Sequence, residues 1–234
     1  MLYVVSTPIG NLKDITYRAV ETLRSVDLIA AEDTRHTRRL LRHYQIETPL
    51  TSYFEHNEVE KGRYLIQRMR EGAKVALVSD AGTPGISDPG YKLIRQARDA
   101  AIPVQVVPGA CALIAGLTLS ALPSHRFVFE GFLPVKATAR RRRLAAFIDE
   151  ERTVIFYESP HRLVRMLKDV AEVLDDPWVV CVREITKVFE EARQARASEH
   201  VAYFSQKKPR GEFVVLVTQG RYHRYCVWES DRFH

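Results

Sequence analysis

At 234 residues the chain can bury a substantial core, as one large domain or two smaller ones. Its 46% apolar and 27% charged content exclude an extended disordered chain, and a net charge of +6 with a pI near 9.3 favours a polyanionic partner without naming one. Cys111, Cys181 and Cys226 are odd in number, far apart and free of any Cys-x-x-Cys pair, which argues against a disulfide framework or a zinc knuckle and suits a reducing cytosol.

The opening residues, MLYVVSTPIGN, lack the basic start and long apolar stretch of a signal peptide. Strands are expected at residues 2–6, 27–32, 50–54, 74–79 and 103–107, with amphipathic helices between them. After Asp14, the residues Ile15, Ala19, Val20, Leu23 and Val26 fall on one helical stripe. The segment 57–72 has a charged outer face and ends at a glycine, a common helix stop. This alternation predicts a parallel sheet covered by helices on both faces.

The apolar segment 110–122 is too short to span a bilayer and is interrupted by Thr118 and Ser120. The expectation is a soluble, cytoplasmic protein with no membrane partner. A second series begins near Arg126, with strands at 127–133, 152–158, 178–185 and 212–218 and helices at about 138–149 and 160–174. The LPSH stretch at 122–125 marks the joint, giving two α/β domains at 1–122 and 123–234 without an internal repeat. The tail after Gly220, RYHRYCVWESDRFH, has no period; packing along the surface and contact with RNA both fit it.

In an open α/β sheet, ligands bind beyond the carboxyl ends of the strands. Three loops qualify: STPIGNLKD at 6–14, SDAGTPGISDPG at 79–90 and VPGACA at 107–112. A phosphate-binding loop requires a glycine-rich turn ending in Gly-Lys-Ser/Thr. That lysine is missing, the Gly-x-Gly-x-x-Gly fingerprint is absent, and Asp80 and Asp88 repel a phosphate. The loops therefore suit a ligand that is neutral or cationic around its reactive part. S-adenosylmethionine fits, since its sulfur is cationic and its hydroxyl and amino groups seek acceptors.

With those stretches in view, the chain resembles the tetrapyrrole methylase superfamily and, within it, the bacterial small-subunit ribosomal RNA 2'-O-methyltransferase I family. The resemblance rests on STPIGNLKDIT (6–16), AAEDTRHTRRLL (30–41), VALVSDAGTPGISDPG (75–90) and VPGACALIAGLTLSALPSHRFVFEGFLP (107–134). It continues through FYESPHRL (156–163), REITKVFEE (183–191) and GEFVVLV (211–217). It implies two α/β domains with S-adenosylmethionine in the cleft between them, a homodimer, and methylation of a cytidine ribose 2'-oxygen in the decoding region of 16S rRNA, free or in the small ribosomal subunit. It further implies cofactor contacts from Pro8, Ser79, Asp80, Ala81, Gly82, Ile86, Ser87, Ala110 and Cys111, and from Phe132, Leu133, Tyr157 and Glu158. Two features depart from the family pattern. Ala110-Cys111 stands where Pro-Ser or Ala-Ser is commoner, and the sequence ends soon after the last strand, where many members continue with a small helical segment. A tetrapyrrole methyltransferase and a non-catalytic RNA-binding module are the alternative readings.

Methyl transfer to a hydroxyl needs a group to take its proton and a cation to steady the oxygen. Glu32, Asp33, Glu158 and Glu184 lie at expected strand ends and suit the first role; Arg35 and Lys187 suit the second. Asp33 with Lys187 ranks first, although Asp33 also reads as a helix N-cap. His161 reads first as a surface histidine at a helix start, with RNA contact as the other reading. Lys136 and Arg140, Arg141, Arg142 and Arg143 form the densest positive charge and read as a phosphate-binding patch, against a merely solvated helix face. No metal is expected, since no His/Cys cluster has ligand spacing.

Overall fold

The computed structural model describes residues 1–219, so the aromatic tail and Cys226 lie outside the described residues. The chain divides by contacts into two units, the first Met1–Cys111 and the second beginning at Ala112.

The first unit holds strands β1 (Leu2–Val5), β2 (Leu28–Ala31), β3 (Leu50–Ser52), β4 (Val75–Val78) and β5 (Val104–Val107). They form one sheet in the order β3-β2-β4-β1-β5, parallel throughout. Helices α1 (Tyr17–Ser25), α2 (Thr34–His43), α3 (Glu58–Arg70) and α4 (Tyr91–Asp99) connect them. Alternate strand residues serve two cores. Val5, Ile29, Ala31, Ala76 and Val78 join Leu23 of α1 and Leu41 of α2. Leu2, Val4, Ala30, Val75 and Leu77 join Leu65 of α3 and Leu93 of α4. This two-sided burial explains why β4 reads as an unbroken apolar run. The connections after neighbouring strands β1 and β4 leave to opposite faces, and such a point opens a crevice at the strands' carboxyl ends.

The second unit holds β6 (Phe127–Phe132), β7 (Thr153–Glu158), β8 (Trp178–Arg183), β9 (Glu191–Arg196) and β10 (Phe213–Thr218), in the order β6-β7-β10-β8-β9. Only β6 and β7 pair in parallel; the other pairs are antiparallel. Helices α5 (Ala112–Ser120), α6 (Ala137–Ala145), α7 (Leu163–Val173) and α8 (Ala197–Gln206) complete it. The sequence places the joint at 122/123, whereas α5 clusters with the second sheet: a Cβ on Gly116 meets Val214 Cγ1 of β10 at 2.9 Å. Strand β9 and helix α8 escape sequence reading. The strand, EARQAR, has only alanines as apolar residues and runs along the sheet edge, fastened by Arg183–Glu191 at 2.7 Å. Buried His200 of α8 stacks on Phe204 and bonds the Val179 carbonyl at 3.1 Å; burial lowers its pKa to about 4, so it stays neutral inside the core.

Candidate active site

All three glycine- and proline-bearing loops of the first unit meet beyond β1 and β4. Thr7 and Gly82 exchange backbone hydrogen bonds, Thr7 N donating to the Gly82 carbonyl at 2.9 Å and Gly82 N to the Thr7 carbonyl at 3.1 Å. Thr7 Oγ1 also donates to the Ser79 carbonyl at 3.2 Å. The Thr83 hydroxyl ties the three loops together, lying 2.9 Å from Ser6 Oγ and donating to the Ala110 carbonyl at 3.2 Å. Sequence reading did not single out Thr83, one small polar residue among many in its loop. Gly82 holds φ +78°, a left-handed conformation that costs glycine little, and a Cβ there meets Ile9 Cγ2 at 3.4 Å. Ser87 holds φ 64° without glycine's freedom, so the loop also carries local strain.

Ser79 is 2% exposed, and its Oγ has no hydrogen-bond partner among the described residues. A buried hydroxyl left unbonded is costly, so such a group marks a position where a partner belongs. Pro8, Asp80, Ala110 and Cys111 are half-buried around the same loops, with Ala81, Ile86 and Ser87 exposed.

Three carboxylates gather beside these loops. Asp80 Oδ1 accepts from Asp33 N at 2.9 Å, and Glu32 Oε2 accepts from Asp80 N at 3.4 Å. Burial pushes the Glu32 carboxyl above its ordinary value; the charges of Asp80 and Asp33 push the same way, and the Asp80 amide opposes them. Asp33 differs. Its carboxylate caps α2, accepting from Arg35 N at 2.7 Å, and takes two bonds from the Arg35 guanidinium at 3.2 and 2.9 Å. Those bonds, led by the Arg35 side chain, hold its pKa at about 2. A carboxylate so acidic is a poor proton acceptor near neutrality. The geometry therefore gives Asp33 the cap role and occupies Arg35 with it, while the Glu32 carboxylate accepts only the Asp80 amide among the described residues.

In the second unit, Tyr157 Oη accepts from Leu113 N at 3.0 Å, and its ring stands edge-on to Phe129 and Phe132. Phe132 is exposed and Leu133 buried. Glu158 is buried; its Oε1 accepts from Ser159 N at 2.8 Å and pairs with Arg162 at 3.3 Å, while Oε2 has no partner among the described residues. Burial raises its pKa against the hydrogen bond and the neighbouring arginines. Lys187 Nζ donates to Glu184 Oε1 at 2.9 Å, across a turn in which Glu184 and Thr186 both hold positive φ. His161 is exposed.

The arginine run needs correction. Arg140 is 6% exposed and donates to Asp169 at 2.6 Å and to the Val135 carbonyl at 2.9 Å, so it is an internal brace. Arg141 bonds Asp169 at 2.7 Å and Glu172 at 2.8 Å, and Arg143 donates to both carboxylate oxygens of Glu130 through Nε and Nη2. Arg142 and Lys136 are exposed, with no ion pair among the described residues. The densest charge in the sequence is thus largely neutralised by carboxylates of its own fold.

Among the described residues, no three His, Cys, Asp or Glu side chains gather as a metal site, and no helix is long and apolar enough to cross a membrane. Residues 1–200 match the sequence profile described as Tetrapyrrole (Corrin/Porphyrin) Methylases. The chain is 54% identical over 220 residues to Ribosomal RNA small subunit methyltransferase I of Pseudomonas aeruginosa, covering 92% of this chain and 78% of that protein. It is 50% identical over 218 residues to the protein of the same name from Synechocystis, covering 93% and 78%. A solved structure titled uroporphyrin-III C-methyl transferase from Thermus thermophilus complexed with S-adenyl homocysteine superimposes with a TM-score of 0.66 at 20% identity, covering 95% of this chain and 98% of that one. Taken with the parallel sheet and the loops at its carboxyl edge, this agreement over most of the sequence means that the chain belongs to the tetrapyrrole methylases and, among them, to the ribosomal RNA small subunit methyltransferase I family.

Proposed function

We propose that this chain is an S-adenosylmethionine-dependent methyltransferase whose acceptor is the ribose 2'-oxygen of a cytidine in the decoding region of 16S rRNA. The small ribosomal subunit as substrate, a homodimer and a cytoplasmic location belong to the same reading. Relatives about half identical that bear an rRNA methyltransferase name support the acceptor class. The observation that carries the cofactor is the loop after β4. Its glycine-bearing turn lacks a lysine, carries the acceptor Asp80, and holds the buried, unbonded Ser79 hydroxyl. Those groups fit a cofactor rich in hydroxyl and amino donors.

When bound, S-adenosylmethionine supplies a methyl group on a cationic sulfur. Ser79, Asp80 and the closely approaching backbone of the 81–82 turn would hold it, with Pro8, Ala110 and Cys111 closing the same loop cluster. Glu32 takes the proton of the ribose hydroxyl, because a carboxyl raised toward neutrality accepts a proton better than one held at about 2. Lys187 is the cation assigned to the developing negative charge on oxygen, with its ammonium steadied by Glu184.

Purified protein with methyl-labelled S-adenosylmethionine and small ribosomal subunits should place label on a ribose 2'-oxygen without added metal. Label on a tetrapyrrole instead, or RNA binding without any transfer, would overturn the assignment. A Ser79→Ala variant should bind S-adenosylmethionine more weakly by about 3- to 10-fold, the scale of one hydrogen bond. Its thermal midpoint without cofactor should be equal or higher, since the unbonded hydroxyl is gone. Unchanged calorimetric affinity would remove Ser79 from the site.

A further inference from the structure

Helix α2 has the sequence TRHTRRLLRH, with Thr37, Leu40 and Leu41 turned into the core. Arg35, His36, Arg38, Arg39, Arg42 and His43 are all exposed. At about 100° per residue, the four arginines fall within an arc of roughly 100°. Arg35/Arg39 and Arg38/Arg42 are spaced i,i+4, while Arg35/Arg38 and Arg39/Arg42 are spaced i,i+3. Like charges at these spacings destabilise a helix. No acid on α2 relieves them, and Asp33 pairs with Arg35 alone. Among the described residues, the side chains of Arg38, Arg39 and Arg42 make no ion pair or hydrogen bond.

The basic run on α6 is compensated: Arg140, Arg141 and Arg143 are held by Asp169, Glu172 and Glu130. Helix α3 intersperses its arginines with Glu58 and Glu60. A face of unpaired arginines at a cost in helix stability calls for a partner that supplies negative charge. Guanidinium groups match phosphate oxygens in bidentate geometry. The helix is about 15 Å long and starts directly after Glu32 and Asp33 at the carboxyl end of β2.

We infer that the outer face of α2 is a docking surface for the phosphodiester backbone of RNA, leading the strand toward the Glu32–Asp80 carboxylates. The inference rests on the RNA-acceptor reading above and adds the surface that grips the acceptor. It also moves the phosphate contacts from α6, where sequence reading put them, to α2.

The test compares wild type with two variants that each remove three positive charges: Arg38→Gln/Arg39→Gln/Arg42→Gln on α2 and Arg63→Gln/Arg68→Gln/Arg70→Gln on α3. Binding to a decoding-region 16S rRNA fragment and to small ribosomal subunits is measured against salt, with S-adenosylmethionine affinity followed by calorimetry. The α2 variant should lower the slope of log K against log salt by about 2 to 3, as expected for three lost phosphate contacts. Its cofactor affinity should hold, and its thermal midpoint should hold or rise because the like charges are relieved. The α3 variant should bind RNA as wild type does. An unaltered slope in the α2 variant, or equal losses in both variants, would overturn the surface while leaving the RNA reading in place. Wild-type protein that binds S-adenosylmethionine but neither RNA would overturn both.

Discussion

Replacing Glu32 by glutamine should lower turnover at saturating cofactor by at least ~100-fold, the usual scale for losing acid–base help. The substitution keeps the shape, and a glutamine oxygen still accepts the Asp80 amide that Glu32 accepts at 3.4 Å. Stability should move the other way. Burial raises the Glu32 pKa, so its folded-state value lies above the unfolded one. For a carboxyl shifted in that direction, the favourable contribution is fully present below the unfolded pKa and is lost as pH rises through the folded value. At neutral pH the ionised Glu32 is therefore a burden, and the neutral glutamine should raise the thermal midpoint. The wild-type rate should fall in acid with a midpoint above the ordinary carboxylate value, and this limb should vanish in the variant. Asp33→Asn is the counter-test: asparagine also caps helices, so turnover should drop much less. A Glu32→Gln enzyme at near wild-type rates, with Asp33→Asn inactive, would restore Asp33 as the base.

The contrast between these neighbours indicates what a sequence can carry. Two acids at the end of an apolar strand were visible as candidates, because the run at 28–31 and the helical pattern after it place them at a carboxyl edge. What separates them is local geometry: Arg35 folds back onto Asp33, and Asp80, 48 residues from Glu32, approaches from another strand. The parallel sheet was legible because strands buried on both faces read as continuous apolar runs. Strand β9 was not, because an edge strand with ion-paired side chains reads as a polar loop. The arginine run on α6 misled for a related reason. Charge density is a property of sequence, but its neutralisation by Asp169, 29 residues from Arg140, is a property of the fold. The uncompensated charge lies on α2, where arginines alternate with core residues and form no conspicuous block.

Replacing Gly82 by valine should abolish S-adenosylmethionine binding, a loss of at least ~100-fold, and with it all transfer. Two effects act together. At φ +78° a side chain costs about 1–2 kcal/mol, more for a β-branched residue, and that cost falls on the turn that faces the loop cluster. The added Cβ also meets Ile9 Cγ2 at 3.4 Å and the Ala110 carbonyl at 3.7 Å, so the branched methyls crowd the first and third loops against the second. The paired Thr7–Gly82 hydrogen bonds, at 2.9 and 3.1 Å, resist any shift of the turn. Backbone that should approach a ligand closely is then shielded by hydrocarbon. Because the strain is confined to one loop turn beyond the sheet, the two cores on either side of the first sheet should persist, with circular dichroism unchanged and the thermal midpoint lowered by only a few degrees. Gly82→Ala separates the effects: it keeps most of the backbone strain but adds one methyl, and should weaken binding by an intermediate amount. A folded Gly82→Val protein that binds the cofactor with wild-type affinity would remove this turn from the site and leave the buried Ser79 hydroxyl without the partner assigned to it.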